Sequence, residues 1–336
     1  MTLRLRGTFA PNPRVAPLLD GTVTPQGIEV GWTTGEPGDL HSMHLRDGAY
    51  DVFEFSISNY IVTTERTNPL WDWLMLPVFT TKATLGLNTV VNTSSGIASG
   101  ADLRGTRFGI PDYTMTAALW FRAQLAELWD IASGQIEWFI GRQGEESHGR
   151  QMGFESRPPK GVSLIWAGAG DLNRMLQDGR LDASFPAGGS PIDTSTGAVA
   201  PLFPDRGRRF TADYHASAGF LPVNHAVLVR RSLVEAEPWC VEALLTAFEE
   251  SKQESYRRDA RNRGVFRADN HNSLDNVSNN DDIRWQNATF GDDPFAYGLA
   301  ANRMMLATAA RQSRLDGLTE EVWDFENFIP ESLLAS

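Results

Sequence analysis

Short apolar runs alternate with amphipathic stretches along most of this chain. The apolar runs predict strands at Leu3–Arg6, Gly27–Trp32, Val52–Phe55, Leu74–Phe79, Thr84–Val91, Arg107–Ile110, Ile136–Phe139, Ala183–Phe185 and His225–Val229. Between them, apolar positions recur at helical spacing over Gly38–Arg46, Ser58–Thr63, Met115–Leu128, Ala169–Gln177, Pro238–Arg257 and Tyr297–Ser313. Pro238 falls in a first turn, where its missing amide is not needed. Strands separated by helices in this way predict an α/β architecture with largely parallel sheets.

Two breaks in the pattern divide the chain. Val91-Asn-Thr-Ser-Ser-Gly96 turns small and polar after an apolar strand, and Phe220-Leu-Pro-Val-Asn-His225 leads back into the strand that ends near Arg230. They predict a discontinuous first lobe, 1–91 and 222–336, around a continuous second lobe, 92–221. A chain that crosses twice makes a hinged cleft, the usual place for a small ligand. The Asn- and Asp-rich stretch 259–293 reads as a surface loop or insert, with Trp285 and Phe290 favouring a docked segment.

Composition removes several function classes. With 336 residues, 41% hydrophobic and 21% charged, the chain has the make-up of a soluble globular protein long enough for two lobes. Forty-two acidic against 30 basic side chains give a net charge of −12, which opposes nucleic-acid binding and attraction to anionic membranes. No apolar run approaches the roughly 20 residues that span a bilayer. The start lacks the apolar core of a secretory leader, so the expected location is the cytoplasm. The single cysteine, Cys240, excludes an internal disulfide and a cysteine-based metal site, and its apolar neighbours predict an inert core position. His41 and His44 stand three apart on a predicted helix, but no third ligand or HExxH pattern accompanies His41, His44, His148 or His271. No metal and no other cofactor are therefore expected. GxSxG, GxxxxGK[ST] and GxGxxG signatures are absent, which disfavours nucleophilic and nucleotide chemistry.

The most informative stretch is Gly109-Ile-Pro-Asp-Tyr-Thr-Met-Thr-Ala-Ala-Leu-Trp120, a strand–turn–helix junction. Free amides at a helix start, with Tyr113, Thr114, Met115 and Thr116 around them, form a receptor for a small anion such as a carboxylate. Three further polar patches sit where predicted strands end: Pro11-Asn-Pro-Arg14, Glu54-Phe-Ser-Ile-Ser-Asn-Tyr60, and Lys82 with Thr84. In open α/β sheets that is where ligands collect. Arg14 offers a planar fork for a carboxylate and Lys82 a point charge for a second one. His225, just before an apolar strand at the second break, is the candidate proton donor, with Asn224 beside it and His215 a weaker candidate. Gly188-Gly-Ser-Pro191 is a candidate ligand-facing turn from the second lobe.

The 109–120 junction, Phe220-Leu-Pro-Val-Asn-His225, Asp292-Asp-Pro-Phe-Ala-Tyr-Gly298 with Ala301-Asn-Arg303, and Leu19-Asp-Gly-Thr-Val-Thr-Pro-Gln-Gly-Ile28 together resemble the 4,5-dihydroxyphthalate decarboxylase family, in order from about residue 3 to residue 330. The resemblance implies a two-lobed, type 2 periplasmic-binding-protein-like α/β fold with an interlobe cleft. It implies a cofactor-independent decarboxylase of a hydroxylated aromatic carboxylate, expected as a cytoplasmic homodimer. In that reading His225 is the general acid, Glu54 with Ser56 orients a ring hydroxyl, and Ser58 and Asn224 are further substrate-binding residues. Arg14 and Lys82 hold carboxylates, and Tyr113–Thr116 receives the second anion. Ala10-Pro-Asn-Pro-Arg14 stands where the family usually carries an Asp-Tyr-Asp-Arg-like turn, and Lys82-Ala-Thr-Leu replaces a more Arg/His-rich stretch. Both departures lie in the expected carboxylate-binding region, so the substrate extends to other aromatic or heteroaromatic carboxylates. The competing reading is a non-catalytic solute-binding protein of the transporter type for a small aromatic carboxylate, since a hinged cleft serves binding equally well.

Overall fold

A computed structural model describes residues 2–82, 89–167, 169–185, 194–205, 207–265 and 280–334. Thr84, the Gly188–Pro191 turn, His271 and residues 266–279 of the asparagine-rich stretch lie outside them. The chain divides into two compact units: residues 1–83, 220–307 and 324–336 form unit 1, and residues 84–219 and 308–323 form unit 2. Its strands, in chain order, are β1 (Leu3–Phe9), β2 (Ile28–Thr34), β3 (Val52–Ser56), β4 (Trp73–Lys82), β5 (Val90–Asn92), β6 (Arg107–Ile110), β7 (Glu137–Ile140), β8 (Ser163–Trp166), β9 (Ala183–Ser184), β10 (Val199–Pro201) and β11 (Val223–Arg230).

Unit 1 carries a five-stranded sheet in the order β2-β1-β3-β11-β4. The pairs β1/β2 and β1/β3 are parallel, whereas β11 runs antiparallel to both β3 and β4. The sheet is therefore mixed rather than largely parallel. β4 is the last strand before the chain leaves the unit and β11 the first after its return, and Val223 pairs with Lys82. That reversal brings the start of β11 to the ends of β3 and β4.

β3 and β4 are buried along their whole length, which is why they read as continuous apolar runs. Trp73 lies edge-on to Phe53 and Phe55, with ring centroids 5.1 and 5.4 Å apart, and anchors this core. Such pairs contribute about 0.5–1.5 kcal/mol each beyond area burial. Pro77 is tolerated inside β4 because β4 is the edge strand. The β4/β11 register slips between His225 opposite Thr81 and Val227 opposite Leu76, leaving an irregular stretch around Pro77–Thr80.

Unit 2 carries a six-stranded sheet in the order β10-β5-β9-β6-β7-β8. β6 is parallel to β7 and β9, and β7 to β8; β5 is antiparallel to β9 and β10. Phe108, Phe121 and Phe185 interlock in its interior, and Trp138 closes on Phe108 at 5.4 Å. Gly109 is required by close approach, since a Cβ there would lie 2.8 Å from Ser184 Oγ and 2.9 Å from a Leu181 methyl.

The expected helices form over Pro37–Asp47, Ile57–Thr64, Thr116–Trp129, Ala169–Gln177, Cys240–Arg258 and Leu299–Leu315. Pro238 precedes its helix rather than opening it, because Trp239 takes the N-cap position. Cys240 is fully buried, and burial pushes its thiol up to about 11, in keeping with an inert core position.

Candidate active site

Polar residues in unit 1 gather at one end of the sheet. β4 changes from apolar to Thr80-Thr81-Lys82 as it ends, β3 carries Glu54 near its end, β1 gives way to Ala10–Arg14, and β11 begins with Asn224 and His225. Because β11 is antiparallel to its neighbours, all four stretches meet at the carboxyl ends of β1, β3 and β4, the side of an α/β sheet that collects ligands.

Glu54 is a buried carboxylate on an otherwise apolar strand, which is costly unless its oxygens are paired. Three donors converge on it. The Ala10 amide donates to Oε2 at 2.9 Å, the Thr81 hydroxyl to Oε1 at 3.2 Å, and His225 Nδ1 lies 2.8 Å from Oε1. His225 pairs with Ser56 on one side and Thr81 on the other, at the point where the β4 register slips. Such irregularities re-aim side chains and are common beside active sites. The His225 side chain is 16% exposed against 2% for Glu54, so the imidazole is the member of the pair that a ligand can touch. His41 stands edge-on to it, with ring centroids 4.7 Å apart.

Arg14 is held by the turn that follows β1. Its amide donates to Asn12 Oδ1 at 3.1 Å, and the amides of Val15 and Ala16 donate to the Asn12 carbonyl. Arg14 is 2% exposed. Nε donates to the Thr80 carbonyl at 2.7 Å, in the irregular part of β4, and Nη1 to the Asn262 carbonyl at 2.8 Å. The guanidinium carbon lies 3.9 Å from the centroid of the Phe295 ring. Among the described residues no carboxylate pairs with it. Burial lowers the Arg14 pKa, against the opposing pull of Tyr256, Tyr297, Glu54 and Asp293.

Lys82, at the end of β4, is also buried and donates to Asn302 Oδ1 at 3.3 Å. Burial pushes its ammonium down to about 8, opposed by Asp293 and reinforced by Lys252. Lys252 is compensated by Glu249 at 3.0 Å and Asp293 at 3.2 Å. Arg14 and Lys82 are thus two buried cations without an anionic partner among the described residues, close to an imidazole–carboxylate pair.

Of the other expected contacts, Ser56 is committed within the fold. Ser56 caps the helix Ile57–Thr64, its hydroxyl accepting from the Asn59 amide at 3.2 Å, and Ser58 is buried in that helix's first turn. Glu54 Oε1 faces the Thr81 hydroxyl and His225, and Oε2 accepts from the Ala10 amide. Asn224 is buried, and its Oδ1 has no hydrogen-bond partner among the described residues.

In unit 2, Asp112 organises the loop before the helix Thr116–Trp129. Its carboxylate accepts from the Thr114 amide and hydroxyl at 3.1 and 2.9 Å, the Ser147 hydroxyl at 2.9 Å and the Gly149 amide at 3.2 Å. The Tyr113 hydroxyl donates to the Asp316 carbonyl at 3.2 Å. The hydroxyls of Tyr113 and Thr114 are therefore taken by the fold, an outcome that reading the stretch as an anion receptor did not anticipate. Met115 is the N-cap and gives no side-chain cap; Thr116 is buried at the first helical position. His215, on the helix Arg208–Ala218, also belongs to this unit.

Sequence reasoning missed Thr81, His41, Lys252, Asp293 and Phe295. Lys252 left a signal, a charge within the buried stripe of its helix beside Phe248, Ser251 and Ser255. Among the described residues, no group of three His, Cys, Asp or Glu side chains is placed to hold a metal ion.

No protein-family model matches the chain. Over 326 residues it is 31% identical to the 4,5-dihydroxyphthalate decarboxylase of Comamonas testosteroni, covering 95% of this chain and 94% of that protein. The chain belongs to the 4,5-dihydroxyphthalate decarboxylase family. Membership makes it a carboxy-lyase. A second 4,5-dihydroxyphthalate decarboxylase, from Pseudomonas putida, is 33% identical over 172 residues, 51% of this chain and 65% of that protein. The family member has the periplasmic-binding-protein fold. The aliphatic sulphonate-binding protein SsuA of Escherichia coli matches over 100% of this chain and 99% of its own, with a TM-score of 0.51 at 13% identity. A periplasmic sulfonate-binding SsuA of Methylobacillus flagellatus matches over 99% of this chain and 93% of its own, with a TM-score of 0.54 at 15% identity. At such identities the likeness speaks for the fold alone. Among the described residues, no helix is long and apolar enough to cross a membrane.

Proposed function

We propose that this decarboxylase removes carbon dioxide from a hydroxylated aromatic dicarboxylate such as 4,5-dihydroxyphthalate, using the unit 1 cluster of Arg14, Glu54, Lys82 and His225. The observation that carries the reading is the Glu54–His225 contact of 2.8 Å, with the imidazole on the accessible side.

Loss of a ring carboxylate requires a proton on the carbon that bears it and an electron source to tolerate that proton. A hydroxyl para to the departing carboxylate supplies the electrons. As the ring carbon takes a proton, the hydroxyl oxygen bears the positive charge as a protonated ketone; the carbon–carboxylate bond then breaks, its electron pair restores the aromatic ring, and carbon dioxide leaves. His225 is the proton donor. Glu54 fixes the ring through Nδ1 and offsets the charge of the imidazolium. Arg14 and Lys82 bind the two carboxylates, and their burial strengthens both attractions relative to water.

The test is carbon dioxide release from 4,5-dihydroxyphthalate and a panel of related hydroxylated aromatic carboxylates, with His225→Ala and Arg14→Ala as controls. Binding without turnover of every compound would favour the second reading, a solute-binding protein. A solute-binding protein would have the fold that this chain shares with the sulfonate-binding proteins. Full turnover by His225→Ala would remove the proton donor from the mechanism while leaving the reaction in place.

A further inference from the structure

We infer that the turn 292–298 is a positioning element for the Arg14 carboxylate clamp, acting through the face of Phe295. The inference rests on reading Arg14 as a carboxylate-binding group. A guanidinium has five donors in one plane, and two of those of Arg14 are fixed by the carbonyls of Thr80 and Asn262. Two edge contacts leave the plane free to tilt. The Phe295 ring, fully buried and 3.9 Å from the guanidinium carbon, supplies the face that stops it. In a carboxylate site such a face is also better than a carboxylate partner, because it holds the cation without neutralising it.

Phe295 is in turn held from behind. Asp293 accepts from Lys252 Nζ at 3.2 Å, from the Tyr256 hydroxyl at 3.1 Å and from the Phe295 amide at 3.1 Å. Lys252 Nζ also donates to the Phe295 carbonyl at 3.2 Å. Both Lys252 and Tyr256 project from one helix, Cys240–Arg258. The same helix gives the Ser251 hydroxyl to the Arg14 carbonyl at 2.8 Å. One rigid element thereby fixes both the backbone of Arg14 and the ring beneath its side chain.

The experiment measures the Kd of phthalate, a probe with two carboxylates and no ring hydroxyl, for wild type, Phe295→Leu, Arg14→Lys and the double variant, beside KM and kcat for 4,5-dihydroxyphthalate. A desolvated cation–ring contact predicts that Phe295→Leu weakens phthalate roughly tenfold, with the turnover loss carried in KM rather than kcat. In the Arg14→Lys background Phe295→Leu is expected to add little, because an ammonium is a point charge with no plane for the ring to hold. Asp293→Asn, at a half-exposed rim position, asks the same question if Phe295→Leu does not fold, and is expected to weaken phthalate in wild type but not in Arg14→Lys. Losses that add in the double variants would make the turn a general structural support and overturn the inference. Phthalate affinity unchanged in Phe295→Leu, or absent in wild type, would overturn it as well. Phthalate binding with this coupling but no carbon dioxide release from any substrate would instead count against the decarboxylase reading alone.

Discussion

Replacing Glu54 by glutamine tests the proposed proton donor without touching it. Glutamine keeps the volume of the side chain but exchanges one acceptor oxygen for an NH2 group. The Ala10 amide can only donate, so the glutamine oxygen must turn to it, leaving the NH2 group facing Thr81 and His225. The Thr81 hydroxyl can rotate and accept. The His225 ring can meet an NH2 only with a bare Nδ1, which disfavours the imidazolium the reaction needs. The lost interaction is a hydrogen bond to a charged group at 2.8 Å with 2% exposure of the carboxylate, worth about 1.5–3 kcal/mol. At 1.36 kcal/mol per factor of ten, kcat/KM for carbon dioxide release is expected to fall roughly 10- to 150-fold. The assay is the initial rate at low and saturating substrate, with a thermal melt to confirm that the variant is folded. Thr81→Val, which removes a weaker neutral donor, is expected to lose only a few-fold. A folded Glu54→Gln within threefold of wild type, beside an inactive His225→Ala, would refute the claim that Glu54 acts through the imidazole.

Four other outcomes follow from buried ionisable groups. Lys82, held near about 8 by burial, is cationic below that pH, so the Kd of an aromatic dicarboxylate is expected to rise as pH climbs through 8 and to stay flat in Lys82→Met. In the ligand-free protein the sign reverses for stability: between about 8 and the ordinary 10.5 the unfolded chain binds the proton the folded one has released, so Lys82 contributes rising stability over that window, measurable as the difference in Tm between wild type and Lys82→Met. His44, fully buried, stacked on Phe53 at 4.1 Å and paired with the Thr8 hydroxyl, is pushed down to about 3 by burial. Stability that it contributes above about 6.5 is lost as pH falls toward 3, at up to about 1.4 kcal/mol per pH unit, so acid unfolding of His44→Phe is expected to be less steep. In unit 2, Arg122 and Asp316 form an ion pair of 2.7 Å with each side chain 1% exposed. Asp316→Ala strands the guanidinium and is expected to cost about 3–5 kcal/mol in denaturant unfolding, whereas Arg122→Met with Asp316→Leu recovers most of it; a single variant within 1 kcal/mol of wild type would show that Arg122 finds another partner.

What the chain discloses before folding follows physical lines. β3, β4 and β11 announce themselves because burial on both faces demands largely apolar runs. β8 does not, since it lies at the edge of its sheet with exposed and half-buried residues alternating over four positions. The helix Arg208–Ala218 buries only Phe210, Thr211 and Tyr214, too thin a stripe to stand out. Glu54, Lys82 and His225 were visible because each interrupts or borders an apolar strand, where a charge needs a reason, and Arg14 because it follows the turn after the first strand. Thr81 was hidden, because its role depends on the register slip that turns it toward Glu54, and register is a property of strand pairs.

The two most recognisable stretches part company on the same grounds. Asp112-Tyr-Thr114 reads like a ligand receptor, yet its hydroxyls and carboxylate are consumed in fixing the loop and binding Asp316. Asp293-Pro-Phe295 carries part of the family resemblance but no expected site residue, yet it ends against Arg14, a cation with no anion of its own among the described residues. Side-chain polarity marks where a chain can bind something. The hydrogen-bond count within the fold decides whether that capacity remains, and by that count the spare capacity in unit 1 lies with Arg14, Lys82 and the exposed edge of His225.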